Sequence, residues 1–385
     1  MTNDYPRQRA RGYAVGVLFT VCLVGLAGPV LAVNADEVGA TKGSWPLFRG
    51  DRMGTGVAPS GLSANPDVRW TFQAEGDIEG TAAIADGVVF FGTFEGNFYA
   101  VSLDQGKELW NFSTEGAIQS NTSVHRGTVY FGDEYGMFHA LDAKTGELRW
   151  KFETYAEILS SATFWKDLVL IGSYDNTLYA LKAENGEVAW KVETDGYVHG
   201  TPAIVDGKAL VSGCDGFLWV VNADDGSVVT KVDLGGQAAS SPAVRDGRVY
   251  MGTFENQVVA VDLETYEVVW RYEHPTRKFP YYASAAVTAD RIVIGGRDKI
   301  LRGLDPATGE AKWEWNSGGR VDSSAVVVGD RAYVGSKRGQ IIGVSVDSGE
   351  IEWTYEAGAA VIASPAVADG KLVIGTLDGT LYCFE

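Results

Sequence analysis

An eleven-residue phrase that returns on a fixed grid constrains this chain more than any other feature. ALDAKTGELRW ends at Trp150, and variants with the same internal spacing end at Trp110, Trp190, Trp270, Trp313 and Trp353. A degenerate copy, VVNADDGSVVT, ends at Thr230, and an isolated tryptophan, Trp70 in VRWTF, falls on the same grid. The anchors are 40 residues apart, except for the 43-residue step from Trp270 to Trp313. A period of this length marks a repeat architecture, in which each unit buries its apolar face against the next. It overrides the two or three domains that 385 residues would otherwise suggest.

From Val68 onward each unit holds four strand-like segments. In the second unit these are Ser120–His125, Thr128–Gly132, Met137–Leu141 and Glu147–Phe152. Apolar and small or polar residues alternate within them, and helical spacing is not sustained anywhere. Asp-Gly pairs at 86–87, 206–207, 246–247 and 369–370 mark a first hairpin, because both central residues of such a turn take positive φ. Four antiparallel strands in up-and-down order make one propeller blade.

Full units begin near Ile78, Ile118, Ile158, Val198, Ala238, Tyr281 and Val321, and a last one near Val361 stops at Glu385 one strand short. The strand around Trp70 supplies what is missing. The expected fold is therefore all-β: an eight-bladed β-propeller of four-stranded antiparallel blades, its ring closed by the N-terminal strand pairing with the C-terminal blade. Closure of this kind removes two exposed edges.

With 45% hydrophobic residues and 48 glycines, the chain is too apolar for disorder and suits short strands joined by tight turns. Its formal charge is −18, and residues 1–32 hold three Arg and one Asp, so the remainder carries −20. Phosphate binding needs a concentrated basic surface, so nucleic acid is not an expected partner. The charge is uneven, however: residues 271–340 hold 12 Lys and Arg against 8 Asp and Glu. Cys214 and Cys383 lie about four repeats apart, on opposite sides of a ring, beyond the roughly 4.4–6.8 Å Cα separation of a disulfide. Two free, buried thiols are expected, with no metal site and no cofactor, since no His/Cys cluster has zinc-like spacing.

Residues 1–32 read as an export signal: Arg7, Arg9 and Arg11 precede an apolar run from Tyr13 to Ala32, with Val30 and Ala32 at the small-residue positions of a cleavage site. The expected location is the periplasm or cell envelope. The run, about 20 residues, is also long enough to span a bilayer, and an uncleaved anchor would be the chain's one link to a membrane. Residues 33–66 form a lead-in whose Trp45 and Phe48 are expected to pack against the body, and residues 67–385 form the propeller.

The eleven-residue units resemble the tryptophan-docking motif of the pyrroloquinoline-quinone (PQQ) propeller family, which includes quinoprotein alcohol dehydrogenases and BamB, the propeller subunit of the outer-membrane-protein assembly machinery. The resemblance covers residues 67–385 and concerns fold more than function, because the motif is structural. It implies that Trp70, Trp110, Trp150, Trp190, Trp270, Trp313 and Trp353 each lie between blades, against the small first residue of their own motif and the glycine at position seven of the next. Thr230 replaces one such Trp and Tyr266 replaces the glycine it would meet. The Tyr266 ring is expected to fill that gap, and Trp70 to dock beside Cys383 and Gly106.

A quinoprotein of this family would need a cofactor pocket over the ring axis, calcium held by carboxylate and amide oxygens, a carboxylate base and usually an adjacent-cysteine pair. This chain has no adjacent cysteines and lacks the family's large insertions. The resemblance then implies a monomeric, exported, non-catalytic scaffold that binds other envelope proteins, as BamB does. The alternative is a PQQ-dependent oxidoreductase or small-molecule sensor using the propeller mouth. Candidate partner-binding residues cluster in Glu273–Tyr282, a segment three residues longer than its counterparts, with His274, Arg277, Lys278, Phe279, Tyr281 and Tyr282. Neighbouring hairpins add Arg297, Lys337 and Arg338 from blades six and seven, and Tyr135 and Tyr174 from blades two and three. Aromatic residues mixed with Arg favour recognition surfaces; a solvated loop with Tyr281 and Tyr282 partly buried is the plainer alternative. Glu79, Gln119, His199, Arg320 and Asp322 are expected near the central channel.

Overall fold

A computed structural model of the chain describes residues 39–385, which belong to one compact unit. The expected export segment, residues 1–32, lies outside the described residues. Every regular element in the described part is a β-strand, and no helix there is long and apolar enough to cross a membrane.

Eight antiparallel four-stranded sheets follow the repeat grid. Blade one, for example, comprises Ala83–Ala85, Val88–Gly92, Asn97–Ser102 and Glu108–Ser113, counted from the channel outward. Blade eight takes three strands from the C-terminus, Ala366–Ala368, Lys371–Gly375 and Thr380–Phe384, and its outermost strand is Val68–Gln73. Trp70 pairs with Cys383 and Phe72 with Leu381, which closes the ring. The first hairpins turn as the Asp-Gly pairs require: Asp86 and Gly87 have φ of 49° and 73°.

The innermost strands are shorter than the sequence suggests. In blade two the strand is Ser123–His125, because the preceding residues bond sideways to other blades. One position per blade builds this connection. The amide of Thr81 donates to Asn121 Oδ1, that of Asn121 to Ser161 Oγ, and that of Ser161 to Thr201 Oγ1. The same step runs from Thr201 to Ser241, Ser284, Ser324 and Ser364, and the amide of Ser364 returns to Thr81 Oγ1. A closed hydrogen-bonded belt thus satisfies buried amides that no strand partner reaches.

The lead-in does more than pack against the body. Trp45 is fully buried, Phe48 is half-buried, and the segment winds once around the inside of the ring. Carbonyls of Trp45, Pro46, Arg52, Met53, Thr55 and Gly56 accept from the amides of Ile84, Val124, Ile204, Val244, Val287 and Val327, one in each of six blades, at 2.6–2.9 Å. Lys42 O and Ser60 Oγ meet Asp369 and Gly370 of blade eight at the start and end of the circuit. Innermost strands present an unpaired edge to the channel, and the lead-in covers it. Val57–Ala58 even pairs in parallel with Val327–Val328.

Arg49 lies at the centre of this plug, fully buried. Its guanidinium donates to the carbonyls of Ala285, Ser324 and Ala325 on blades six and seven. Burial pulls its pKa down to about 9, while neighbouring Asp51 opposes the shift. Burial pushes the Asp51 carboxyl up, against hydrogen bonds from Thr55 and Met53.

The core lies between blades. Trp110 donates its Nε1 proton to Ala143 O, Trp150 to Ala183 O, Trp270 to Pro306 O and Trp313 to Val346 O, each on the next blade. Trp70 likewise reaches Leu103 O at 2.8 Å, and Trp353 uses Pro66 O, where the chain ends stand in for a hairpin. Trp190 is the exception, its Nε1 without a partner. Opposite each of these indoles except Trp353 sits a glycine: a Cβ on Gly349, whose φ is 72°, would come within 2.6 Å of the Trp313 ring. Tyr266 occupies that glycine's place with a φ of 59° and packs, half-buried, on the core of blades four and five. Lys208 of blade four lies 5.5 Å from its ring centroid.

One cysteine differs from expectation. Cys383 is buried and Cys214 is free but only half-buried, because it falls in a hairpin at the rim.

Candidate functional site

The loops between blades share one face of the ring with the hairpins joining second and third strands. Backbone bonds join the two sets: the amides of Phe94, Glu134, Tyr174, Cys214, Phe254, Arg297, Lys337 and Leu377 donate to Asp77, Ala117, Glu157, Tyr197, Gln237, Pro280, Arg320 and Ala360. The result is a rigid collar. Its side chains are therefore held in place by the repeat itself, as a binding surface requires.

The exposed aromatic residues gather here. Phe94, Tyr135, Tyr155, Tyr197 and Phe279 are the strongly exposed aromatics among the described residues, and all five project from these loops or hairpins. The exposed aliphatic residues Leu109, Leu148, Val188, Val228, Val229, Val269 and Ile351 lie instead on outermost strands. Neighbouring blades touch at the channel mouth: Gln119 Nε2 donates to Glu79 at 2.8 Å. Tyr174 stacks on Tyr197 with centroids 4.7 Å apart, and its hydroxyl lies 2.5 Å from His199 Nδ1. Burial pushes His199 down to about 4 and Tyr174 upward. The phenol is then the donor and the neutral imidazole the acceptor.

Across the mouth, Arg297 lies 3.3 Å over the Tyr282 ring and pairs with Asp322 at 2.9 Å, while Lys337 reaches the same carboxylate at 3.6 Å. Phe254 flanks Tyr282 at 4.7 Å. Arg338 and Arg320 are exposed and have no carboxylate partner among the described residues.

In the insertion, His274 Nδ1 accepts from the amides of Thr276 and Arg277, and Nε2 faces Glu314 at 3.6 Å. Arg277 donates to Asp298 O, Lys278 pairs with Glu273, and Phe279 is half-exposed. Tyr281 cannot meet a partner, because it is only 2% exposed. It fills the apolar slot that Ile78, Ile118 and Ile158 fill elsewhere, seated against the glycine that ends the preceding blade's second strand, here Gly252. Its place on the repeat grid was already the sign of this.

Beneath the insertion is a network that sequence reasoning missed. Arg302, fully buried, pairs with Asp298 and with Glu314 at 3.0 Å, and Tyr272 donates to the same Glu314 at 2.7 Å. The available signal was a charge at a strand position that holds Tyr99, Tyr179 or Tyr382 in other blades. The network anchors the longest loop of the collar.

The likeness to quinoproteins implies calcium and a planar quinone at this mouth, and the residues present do not fit them. No group of three or more His, Cys, Asp or Glu among the described residues is placed to hold a metal ion. Cys214 and Cys383 sit in blades four and eight, so no adjacent thiol pair exists among these residues. At the mouth, Glu79 is bonded to Gln119, and Asp322 is shared by Arg297 and Lys337.

Among solved structures, BamB from Moraxella catarrhalis superposes with a TM-score of 0.71 at 20% identity, covering 83% of this chain and 97% of that one. Quinohemoprotein alcohol dehydrogenase from Comamonas testosteroni gives 0.77 at 13% identity, over 90% and 81%. The computationally designed Ika8 protein gives 0.68 at 16%, over 81% and 98%. At these identities the likeness is one of fold. No curated protein is a sequence match. The family model described as outer membrane protein assembly factor BamB matches residues 64–152, 95–213, 196–317 and 297–385, and the chain belongs to that family.

Proposed function

We propose that this protein is an exported, non-catalytic propeller that binds other proteins of the cell envelope and assists their assembly. The observation that carries the reading is the one-sided distribution of exposed aromatic residues, set on a collar whose backbone is hydrogen-bonded blade to blade. Aromatic residues beside Arg supply large, rigid contact area at low entropic cost. Membership of the BamB family supports an envelope location, and residues 1–32 supply the export signal in this reading. The partner-contacting residues are Arg277, Lys278, Phe279, Tyr282, Arg297, Lys337, Arg338, Tyr135 and Tyr174, with His274 shaping the loop.

A photo-crosslinking amino acid at Tyr135 or Phe279 tests the proposal in the native envelope, with Leu109 on an outermost strand as control. Adducts are expected from the first two positions and not from the third. Changing Arg277, Phe279 and Tyr282 together is expected to abolish the adducts from Tyr135. Incubation with PQQ and calcium is expected to give neither a bound chromophore nor dye-linked alcohol oxidation, and either result would replace this reading with an enzymatic one.

A further inference from the structure

The collar is divided by charge. Its loops and hairpins in blades one to five and eight carry Glu75, Glu95, Glu134, Glu157, Asp195 and Glu255 among their acids, and not one Lys or Arg. Lys231 and Arg271 approach from outermost strands, Lys231 pairing with Asp195 at 3.2 Å and Arg271 donating to Leu234 O. In blades six and seven the same segments carry Arg277, Lys278, Lys299, Arg320, Lys337 and Arg338, besides Arg297. Their acids are already engaged: Asp298 is buried against Arg302, Asp322 is shared by Arg297 and Lys337, and Glu273 at the start of the long loop pairs with Lys278. The exposed aromatics Phe94, Tyr135, Tyr155 and Tyr197 lie in the acidic arc, where ring faces and carboxylates together favour cations.

We infer that this face takes a partner protein whose contacting surface is basic over most of its extent and acidic in one sector, and that the two arcs fix the partner's rotation about the ring axis. Segregated charge sets orientation and on-rate more than raw affinity. A second copy of this chain fits poorly. Face to face, its two basic blades cover at most two acidic ones in each direction, which leaves acid on acid over the remaining half of the ring. An anionic membrane would be repelled by the larger arc. The inference rests on the protein-binding reading above and names the chemistry of its partner.

The test uses the full chain and two labelled peptides of one composition, followed by fluorescence anisotropy at low salt. In one peptide a lysine block and a glutamate block are joined by a Gly/Ser linker; in the other the same residues alternate. The block peptide is expected to bind on the order of tenfold more tightly, with the difference fading as salt shortens the screening length to about 3 Å near 1 M. Two double reversals, K337E/R338E at exposed positions and E134K/E157K at a half-buried and an exposed one, are each expected to bring the two affinities together. Equal affinities for the two peptides in the wild type, or a preference that survives both reversals, overturns the inference. So does self-association that the same reversals abolish, since the occupant is then a second copy. Crosslinks from Tyr135 that persist unchanged in both reversals would sink the charge inference and leave protein binding standing, whereas absence of crosslinks from any collar position removes the binding reading itself.

Discussion

The amide of Ser364 donates to the hydroxyl of Thr81 at 3.3 Å, and with that bond the belt around the ring is complete. Residues 283 apart in sequence become neighbours only in a closed propeller. Thr81→Ala leaves this buried amide without a partner and is expected to cost about 1–3 kcal/mol. Thr81→Ser keeps the hydroxyl and is expected to stay close to wild type in the urea midpoint.

Arg49 is held by three carbonyls across the channel from its own backbone. Arg49→Ala strands those carbonyls and leaves Asp51 without its opposing charge, a loss of about 3 kcal/mol or more. Arg49→Lys is expected to recover part of it, since an ammonium cannot span the three acceptors as the planar fork does. Chemical denaturation of the three proteins side by side checks the order.

Thr230 and Tyr266 stand where other blades pair a tryptophan with the glycine of the next motif. Tyr266→Gly removes a half-buried ring, worth about 2 kcal/mol, and relieves a positive φ worth about 1 kcal/mol. The net loss should be small, near 1 kcal/mol. Thr230→Trp alone has no glycine to meet and is expected to destabilise, whereas the double change rebuilds the common docking pair and should equal or exceed wild type. Thermal melts of all four proteins give the coupling; additive effects would show that the two positions do not share a space.

His199 stands below its ordinary value, at about 4, because it is buried. The unfolded chain then takes up its proton more readily than the folded one. Its contribution to stability is fully present above about pH 6.5 and is lost as the pH falls toward 4. His199→Gln is expected to flatten that part of the stability profile, and NMR of the wild type should show a neutral ring at pH 5.

The two thiols should react unequally. Burial pushes Cys383 up to about 12; burial, with Asp215 beside it, also raises Cys214, but that thiol is only half-buried at the rim. Mass spectrometry after iodoacetamide treatment at pH 8 should find slow alkylation of Cys214, with Cys383 protected until denaturant is added.

Much of this was readable from the chain because repeats write tertiary contacts as sequence spacing. Trp313 and Gly349 announce an interblade contact by their places in successive copies of one motif. Tyr281 was misread for the opposite reason: its chemistry suggested a surface, although its grid position is that of Ile78. The belt also lay in view, as Ser, Thr or Asn at one position per blade, but small polar residues there carry no signal until the blades are adjacent.

The sequence by itself determined the number of blades, the strand order, the closing strand at Trp70 and the family, since each follows from local periodicity and turn chemistry. Only the tertiary structure decided the course of residues 39–66, which have no repeat and whose carbonyls find their partners only inside a finished ring. It also decided which loops share a face. The division of charge between blades six and seven and the others becomes a property of a surface only when the ring brings those loops together.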